Sequence, residues 1–153
     1  CLSYTNNSWP DYGVQWSDQV KFPGCVAFYS PMDVTKFSGA DDPSTYKENE
    51  LWEDLNSTQD IRMISPQQHL QSSSPPVLSI VGTEDNYGLY QSNRWFKQRA
   101  DELGSKCVFV SIKGADHAYD GIPAHIATQM SLWSMERFLQ LCVQQNHSEE
   151  GTT

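Results

Sequence analysis

The sequence predicts an α/β fold with parallel strands. Three short runs rich in Val, Ile and Phe have strand character: Gly24 to Tyr29 (GCVAFY), Val77 to Val81 (VLSIV) and Cys107 to Ile112 (CVFVSI). Runs this apolar suit strands that are covered on both faces, as they are in parallel sheets. An amphipathic segment separates the second run from the third, and a strand–helix–strand order joins parallel strands through a right-handed crossover. We therefore expect one parallel sheet with helices packed on it.

Two helices are predicted after the second run. The first spans Leu89 to Leu103 and ends at Gly104, a residue that commonly terminates helices. Its apolar positions form one stripe: Leu89, Phe96, Ala100 and Leu103. The second helix is expected from Pro123, which suits a first-turn position, to about Val143. Its predicted buried stripe is Leu132, Met135, Leu139 and Cys142.

Composition bounds the classes of function. The chain has 153 residues, 38% of them hydrophobic, and a formal net charge of −9. Such an acidic balance argues against nucleic acid or an anionic membrane as a partner. No apolar run is long enough for a transmembrane helix. The N-terminal stretch CLSYTNNSWPDYG lacks the basic and apolar regions of a signal peptide.

Three N-x-[S/T] sequons, at Asn6, Asn56 and Asn146, bear on the compartment. Roughly one would be expected by chance, so the excess favours a secreted glycoprotein, with a cytoplasmic protein as the alternative. The four cysteines, Cys1, Cys25, Cys107 and Cys142, form no C-x-x-C motif and leave their pairing open. Burial of Cys25 and Cys107 as free strand residues is favoured over a disulfide.

Two polar residues stand where functional groups gather in parallel sheets, just after the carboxyl ends of strands. Asp85 lies in GTEDNYG after the second run, and His117 lies in GADHAYD after the third. Adjacent parallel strands would bring both loops to one rim. An aspartate bonded to one imidazole nitrogen orients the ring and leaves the other nitrogen to take a proton from a nucleophile. The competing interpretation is a turn-forming aspartate and a solvated histidine.

These motifs, in this order, resemble the C-terminal half of an α/β-hydrolase. The segment from PPVLSIVGTED to GADH follows the family pattern of Pro-Pro, strand, G-T-x-D, amphipathic helix, Gly, strand and G-x-x-H. The earlier VAFYSPMD resembles the preceding strand with its Y-x-x-x-D ending, and ISPQQHLQSSSPP the segment before the acid strand. The resemblance covers about Val20 to Leu141 and is nearest to carboxylesterase and feruloyl-esterase-like members.

The resemblance implies strands six to eight of the family sheet. It also implies a serine hydrolase, in this branch an esterase, that needs no metal or organic cofactor. It assigns the triad acid to Asp85 and the base to His117. It also divides the chain into three parts. Residues 1–19 are the end of the helix after the nucleophile with its loop, and residues 20–145 are the C-terminal half of the hydrolase domain. Residues 146–153 are a flexible tail.

The nucleophile elbow of the family, G-x-S-x-G, occurs nowhere in the chain, and the oxyanion-hole loop is also missing. A three-strand parallel sheet would moreover leave the edge at Gly24 to Tyr29 open. We therefore expect a partner chain with the N-terminal half, produced by cleavage near Cys1 or by separate expression. The alternative is that the 153 residues are a truncated piece of a longer chain. Cys1 and the serines at 72–74 are poor nucleophile candidates, because nothing near Cys1 in the sequence activates it and the serines form a loop before Pro75.

Several other residues are secondary candidates. Asp33, after the first run, is an alternative triad acid, and Tyr87 and Tyr90 are candidates for lining a substrate pocket. The acidic residues Glu84, Asp116 and Asp120 are interpreted as loop residues. Two other functions stay open: a non-catalytic binding or scaffold protein, and a lyase or cyclase using the same pocket. A G-x-S-x-G in the missing half would favour hydrolysis.

Overall fold

The computed structural model describes residues 22–34 and 62–150, the last six of these by their backbone only. Three strands and two helices make up this part: β1 (Cys25–Phe28), β2 (Val77–Gly82), α1 (Leu89–Leu103), β3 (Cys107–Ile112) and α2 (Ile126–Glu150). Two short 3-10 turns, Pro66–His69 and Tyr119–Gly121, precede β2 and α2. No helix in these two ranges is both long enough and apolar enough to cross a bilayer.

The strands form one parallel sheet in the order β1–β2–β3. Cys25 is in register with Val77, and Val77 with Cys107, so all three strands begin at the same level. The predicted strand positions and their parallel pairing are confirmed. Because parallel strands all point the same way, the loops that follow them emerge together at one rim of the sheet.

The core lies on both faces of β2, whose six residues are all buried. On one face α2 covers a cluster formed by Leu78, Ile80, Ile112, Ala115, Ala127, Phe138 and Cys142. On the other face, Phe96 and Ala100 of α1 form a second cluster with Met32, Leu70 and Val77. A sheet covered on both faces requires apolar residues at consecutive positions, which explains the unbroken hydrophobic run of β2.

Helix α1 follows its prediction. Leu89, Phe96 and Ala100 are buried, and Leu103 packs against the same cluster. Gly104 ends the helix with a φ of 70°, a left-handed conformation that glycine adopts without steric cost. The predicted bounds, stripe and terminator of this helix are therefore confirmed.

Helix α2 differs from its prediction. It begins at Ile126 rather than Pro123 and continues to Glu150, so it includes the first residues of the segment predicted as a tail. Leu132 and Leu139, from the predicted stripe, are each 41% exposed. Cys142 of the predicted stripe is buried and Met135 packs against the core, and the other buried positions are Ala127, Thr128, Ser131 and Phe138. Small and hydroxyl-bearing residues can face the core because their polar atoms are satisfied locally: Ser131 Oγ donates to the Ala127 carbonyl and Thr128 Oγ1 to that of Ile122.

Three of the four cysteines lie in the described ranges, and each has a free thiol: Cys25, Cys107 and Cys142. Burial raises the pKa of all three, that of Cys107 to about 11. Thiols with raised pKa values are poor nucleophiles, which agrees with a packing role. The segment 1–19, with Cys1 and Asn6, and the sequon at Asn56 lie outside the described residues. Asn146 lies within α2.

Candidate active site

The loops that follow the three strands converge at the carboxyl rim of the sheet. The loops after β2 and β3 are bonded to each other: the Glu84 amide donates to the Ala115 carbonyl and the Gly114 amide to Thr83 Oγ1, at 3.0 and 2.9 Å. Gly82 permits this approach, since a Cβ there would lie 2.1 Å from the Ala115 carbonyl oxygen. The last residue of β2 must therefore be glycine for the β3 loop to close over it.

Asp85 and His117 meet at this rim. His117 Nδ1 lies 3.0 Å from Asp85 Oδ2, and the aspartate side chain is fully buried. The other carboxylate oxygen, Oδ1, accepts from the amides of Tyr87 and Leu89 at 3.0 and 3.3 Å. Leu89 is the first residue of α1, so the carboxylate also sits at the end of the helix where its dipole favours negative charge. Buried and bonded through both oxygens, the carboxylate has one orientation.

The bond to Asp85 determines how the imidazole of His117 is arranged. A carboxylate accepts, so Nδ1 carries the proton, and in the neutral ring the lone pair is on Nε2. The side chain is 27% exposed and lines a cleft of about 370 Å³. Among the described residues no hydrogen-bond partner reaches Nε2. The histidine is thus arranged as a proton acceptor that faces a cleft.

Two tyrosine rings contact the imidazole. The ring centroid of Tyr29, which follows β1, lies 4.4 Å from that of His117, and the Tyr87 centroid lies 4.6 Å away in an edge-on arrangement. Both tyrosines line the cleft with Phe28, Ser30, Pro31 and Leu89. Mixed aromatic and aliphatic walls with a few polar groups are typical of small-molecule sites.

Two aspartates that the sequence analysis interpreted as loop residues hold the site together. Asp116 Oδ1 accepts from the His117 amide at 2.7 Å and from the Asn86 amide at 3.0 Å, which ties the two loops at their tips. Asp120 Oδ1 accepts from the Tyr29 hydroxyl at 2.9 Å. The only signal for this role in the sequence was that several acidic residues lie close to His117. It did not indicate which backbone amides or hydroxyl groups they would bind.

Only one of the secondary candidates from the sequence lies at the cleft. Tyr87 lines the cleft, but Tyr90 does not: its ring lies 6.1 Å from that of Phe109, on the side of α1 that faces β3. The two tyrosines differ because Tyr87 lies in the turn before α1, whereas Tyr90 is the second residue of the helix. Asp33 is buried and its Oδ2 accepts from Gln67 Nε2 at 3.2 Å, whereas the carboxylate bonded to His117 belongs to Asp85. Glu84 is exposed.

No family model and no curated protein matches the chain. Among solved structures it is similar to a thermophilic esterase from the planctomycete Thermogutta terrifontis with butyrate bound, at 24% identity and a TM-score of 0.62, over 78% of this chain and 43% of that one. It is also similar to a truncated carbohydrate esterase from gut microbiota, at 21% identity and a TM-score of 0.54, over 76% and 43% of the two chains.

A third match is T. terrifontis esterase 2 phosphorylated by paraoxon, at 20% identity and a TM-score of 0.59. It covers 80% of this chain and 44% of the esterase. The chain thus spans less than half the length of the esterases that it matches. Its three parallel strands and helices correspond to the C-terminal part of an esterase fold, which confirms the predicted fold class.

Proposed function

We propose that this chain supplies the acid and the base of a serine hydrolase, an esterase that cleaves carboxylic esters. The observation that carries the proposal is the bond of 3.0 Å between His117 Nδ1 and the fully buried Asp85 carboxylate, at a cleft. A histidine oriented by an aspartate is the proton-transfer unit of serine hydrolases, recognised by geometry and not by sequence position.

The chemistry follows from this orientation. His117 Nε2 takes the proton of a serine hydroxyl as its oxygen attacks the ester carbonyl, and the imidazolium that forms is stabilised by Asp85. The same proton passes to the leaving alkoxide when the tetrahedral intermediate collapses to an acyl-enzyme. Water, deprotonated by His117, then releases the acid. Each step moves one proton through Nε2 and requires no metal ion or organic cofactor.

The similar structures support the same class of nucleophile. Esterase 2 of T. terrifontis is phosphorylated by paraoxon and phosphonylated by sarin. Such agents phosphorylate a nucleophile that a neighbouring base activates. This chain has no G-x-S-x-G motif and corresponds to less than half of those esterases. We therefore assign the serine and the oxyanion-hole donors to a complementary N-terminal half.

We propose that this half pairs with β1 and completes the sheet. Within the described residues β1 is an edge strand, and its four residues are only half-buried, whereas β2 is buried throughout. An open edge of a parallel sheet is an incomplete surface, which further strands would cover. Large apolar residues of α2, among them Trp133 and Leu141, are exposed in this chain and would contribute to the same interface.

The proposal is tested on the protein assembled with its N-terminal half, with p-nitrophenyl butyrate as substrate. His117→Ala should abolish turnover without unfolding the protein. Asp85→Asn should lower kcat by up to about 10⁴, because the amide favours the wrong imidazole tautomer. Asp33→Asn is the matched control, since it changes the other buried aspartate of the sheet rim and should leave kcat within about twofold.

Two outcomes would contradict the assignment. If activity survives Asp85→Asn but is lost in Asp33→Asn, the triad acid is Asp33. If His117→Ala hydrolyses the ester at the wild-type rate, the catalytic interpretation fails and a non-catalytic binding protein on the same fold is the better account.

We also propose that the protein is secreted and glycosylated, because of its three sequons at Asn6, Asn56 and Asn146. Peptide mass spectrometry of protein from the natural host should find a glycan on at least one of them. Three unmodified sequons would contradict the proposal.

A further inference from the structure

We propose that Tyr29, held in place by Asp120, is a positioning residue that keeps the imidazole of His117 aligned for proton transfer. The inference rests on the proposed function, in which His117 Nε2 is the base. It concerns a residue directly after β1 and a residue beyond β3, neither of which belongs to the acid–base pair itself.

A single hydrogen bond does not determine the plane of an imidazole ring. The Nδ1–H bond to Asp85 fixes one end of the His117 ring and leaves the ring free to turn about that bond, which would move Nε2 away from the serine. The Tyr29 ring, at 4.4 Å and tilted by 59°, blocks this rotation by direct contact. His117 is thus held by Asp85 from the β2 loop and by Tyr29 from the end of β1.

The Tyr29 ring is itself held by a long-range bond. Its hydroxyl donates to Asp120 Oδ1 at 2.9 Å, across 91 positions of sequence. Asp120 lies in the 3-10 turn after β3, so the bond joins loops from the two outer strands across β2. Burial, together with the bond to Asp120, raises the pKa of Tyr29 to about 12. The hydroxyl therefore remains protonated, and a donor, over the pH range of ester hydrolysis.

The backbone at Tyr29 is shaped for this contact. Its φ is 32°, in the left-handed region that a bulky non-glycine residue rarely adopts. Two bonds hold this turn: the Tyr29 amide donates to the Ile80 carbonyl at 2.6 Å, and Asn93 Nδ2 donates to the Ser30 carbonyl at 2.9 Å. Strained conformations persist where the surroundings over-determine them, and they concentrate at functional sites.

The test compares Tyr29→Phe and Asp120→Leu, two substitutions that each remove one partner of the bond and keep a similar side-chain shape, in the assembled protein. Each should lower kcat about tenfold and leave KM within about twofold, because a misaligned base impairs the chemical step and not substrate binding. The double variant should be no slower than either single variant, since both remove one bond. Proton NMR should show the His117 Nδ1–H exchanging with water about tenfold faster in each.

The matched control is Tyr119→Phe. Tyr119 is also a half-buried tyrosine beside Tyr29, but its hydroxyl is bonded to Ser131 Oγ at 2.6 Å and not to the site. This variant loses a comparable hydrogen bond and should keep wild-type kcat and wild-type exchange of the His117 proton.

The inference is overturned if Tyr29→Phe and Asp120→Leu behave like Tyr119→Phe in both measurements, or if their effects on kcat add in the double variant. Failure of the proposed function is distinguishable: His117→Ala would then hydrolyse the ester normally, while the exchange of the His117 proton would still report whether Tyr29 restrains the ring.

Discussion

The two helices bury their side chains in different ways. Helix α1 places its apolar stripe in the core, with Phe96 fully buried. Its outer surface carries charged residues, including the ion pairs Lys97–Asp101 and Arg99–Glu102. Apart from Phe138, helix α2 buries small and medium-sized residues, and it exposes these larger ones: Ile126, Met130, Leu132, Trp133, Leu139, Leu141 and Val143. An amphipathic helix normally does the reverse.

The difference shows which helix has its packing partners within this chain and which does not. The apolar stripe of α1 packs against residues of all three strands and of the segments after β1 and before β2, so its hydrophobic pattern is satisfied. Helix α2 covers one face of three strands, whereas the match with an esterase of the same fold covers only 43% of that esterase. Under the proposed function, the exposed apolar side chains of α2 belong to a larger core that the N-terminal half completes.

The largest effect is expected in α1. Phe96→Ala removes a fully buried ring from the cluster between α1 and the sheet and should lower the free energy of unfolding by about 3–5 kcal/mol. Urea denaturation followed by circular dichroism measures it. A loss below about 1 kcal/mol would mean that α1 is not packed as fully against the sheet as its burial indicates.

A smaller effect is expected where α1 meets the sheet through polar groups. Asn93 is fully buried; it accepts from Ser79 Oγ at 2.6 Å and donates to the carbonyls of Leu89 and Ser30. Asn93→Ala leaves these groups without their partner and should lower the free energy of unfolding by about 1–3 kcal/mol.

The matched change for Asn93 is Gln98→Ala, on the exposed face of the same helix, where only a few tenths of a kcal/mol are expected. Equal losses in the two variants, measured by urea denaturation, would show that the buried network does not stabilise the junction of α1 and β2.

The smallest effect on this chain alone is expected in α2. Trp133 is 61% exposed, so Trp133→Ala should change the stability of the 153-residue chain by less than about 0.5 kcal/mol. The same change should weaken binding of the N-terminal half by more than tenfold if that half covers the indole, because buried aromatic residues dominate interface energies. Titration calorimetry measures the binding, and an unchanged affinity would separate α2 from the proposed interface.

The local sequence patterns were sufficient for the regular interior of the fold. Strands β1 to β3 and helix α1 were predicted within a residue or two, since each is marked by its own hydrophobic pattern and by the turn residues that bound it. The positions of Asp85 and His117 at one rim followed from parallel strand order. Their roles as acid and base remain proposals, although the structure brings the two side chains into hydrogen-bond contact.

What the sequence determined by itself is the set of elements and their direction, because hydrophobic period and turn residues act over a few neighbours. Tertiary structure alone decided which face of α2 is buried, that Tyr90 points away from the cleft and that Tyr29 bonds to Asp120. Each of these depends on where distant segments meet. A pairing between residues 91 positions apart leaves no local periodicity, so no pattern in either segment could reveal it.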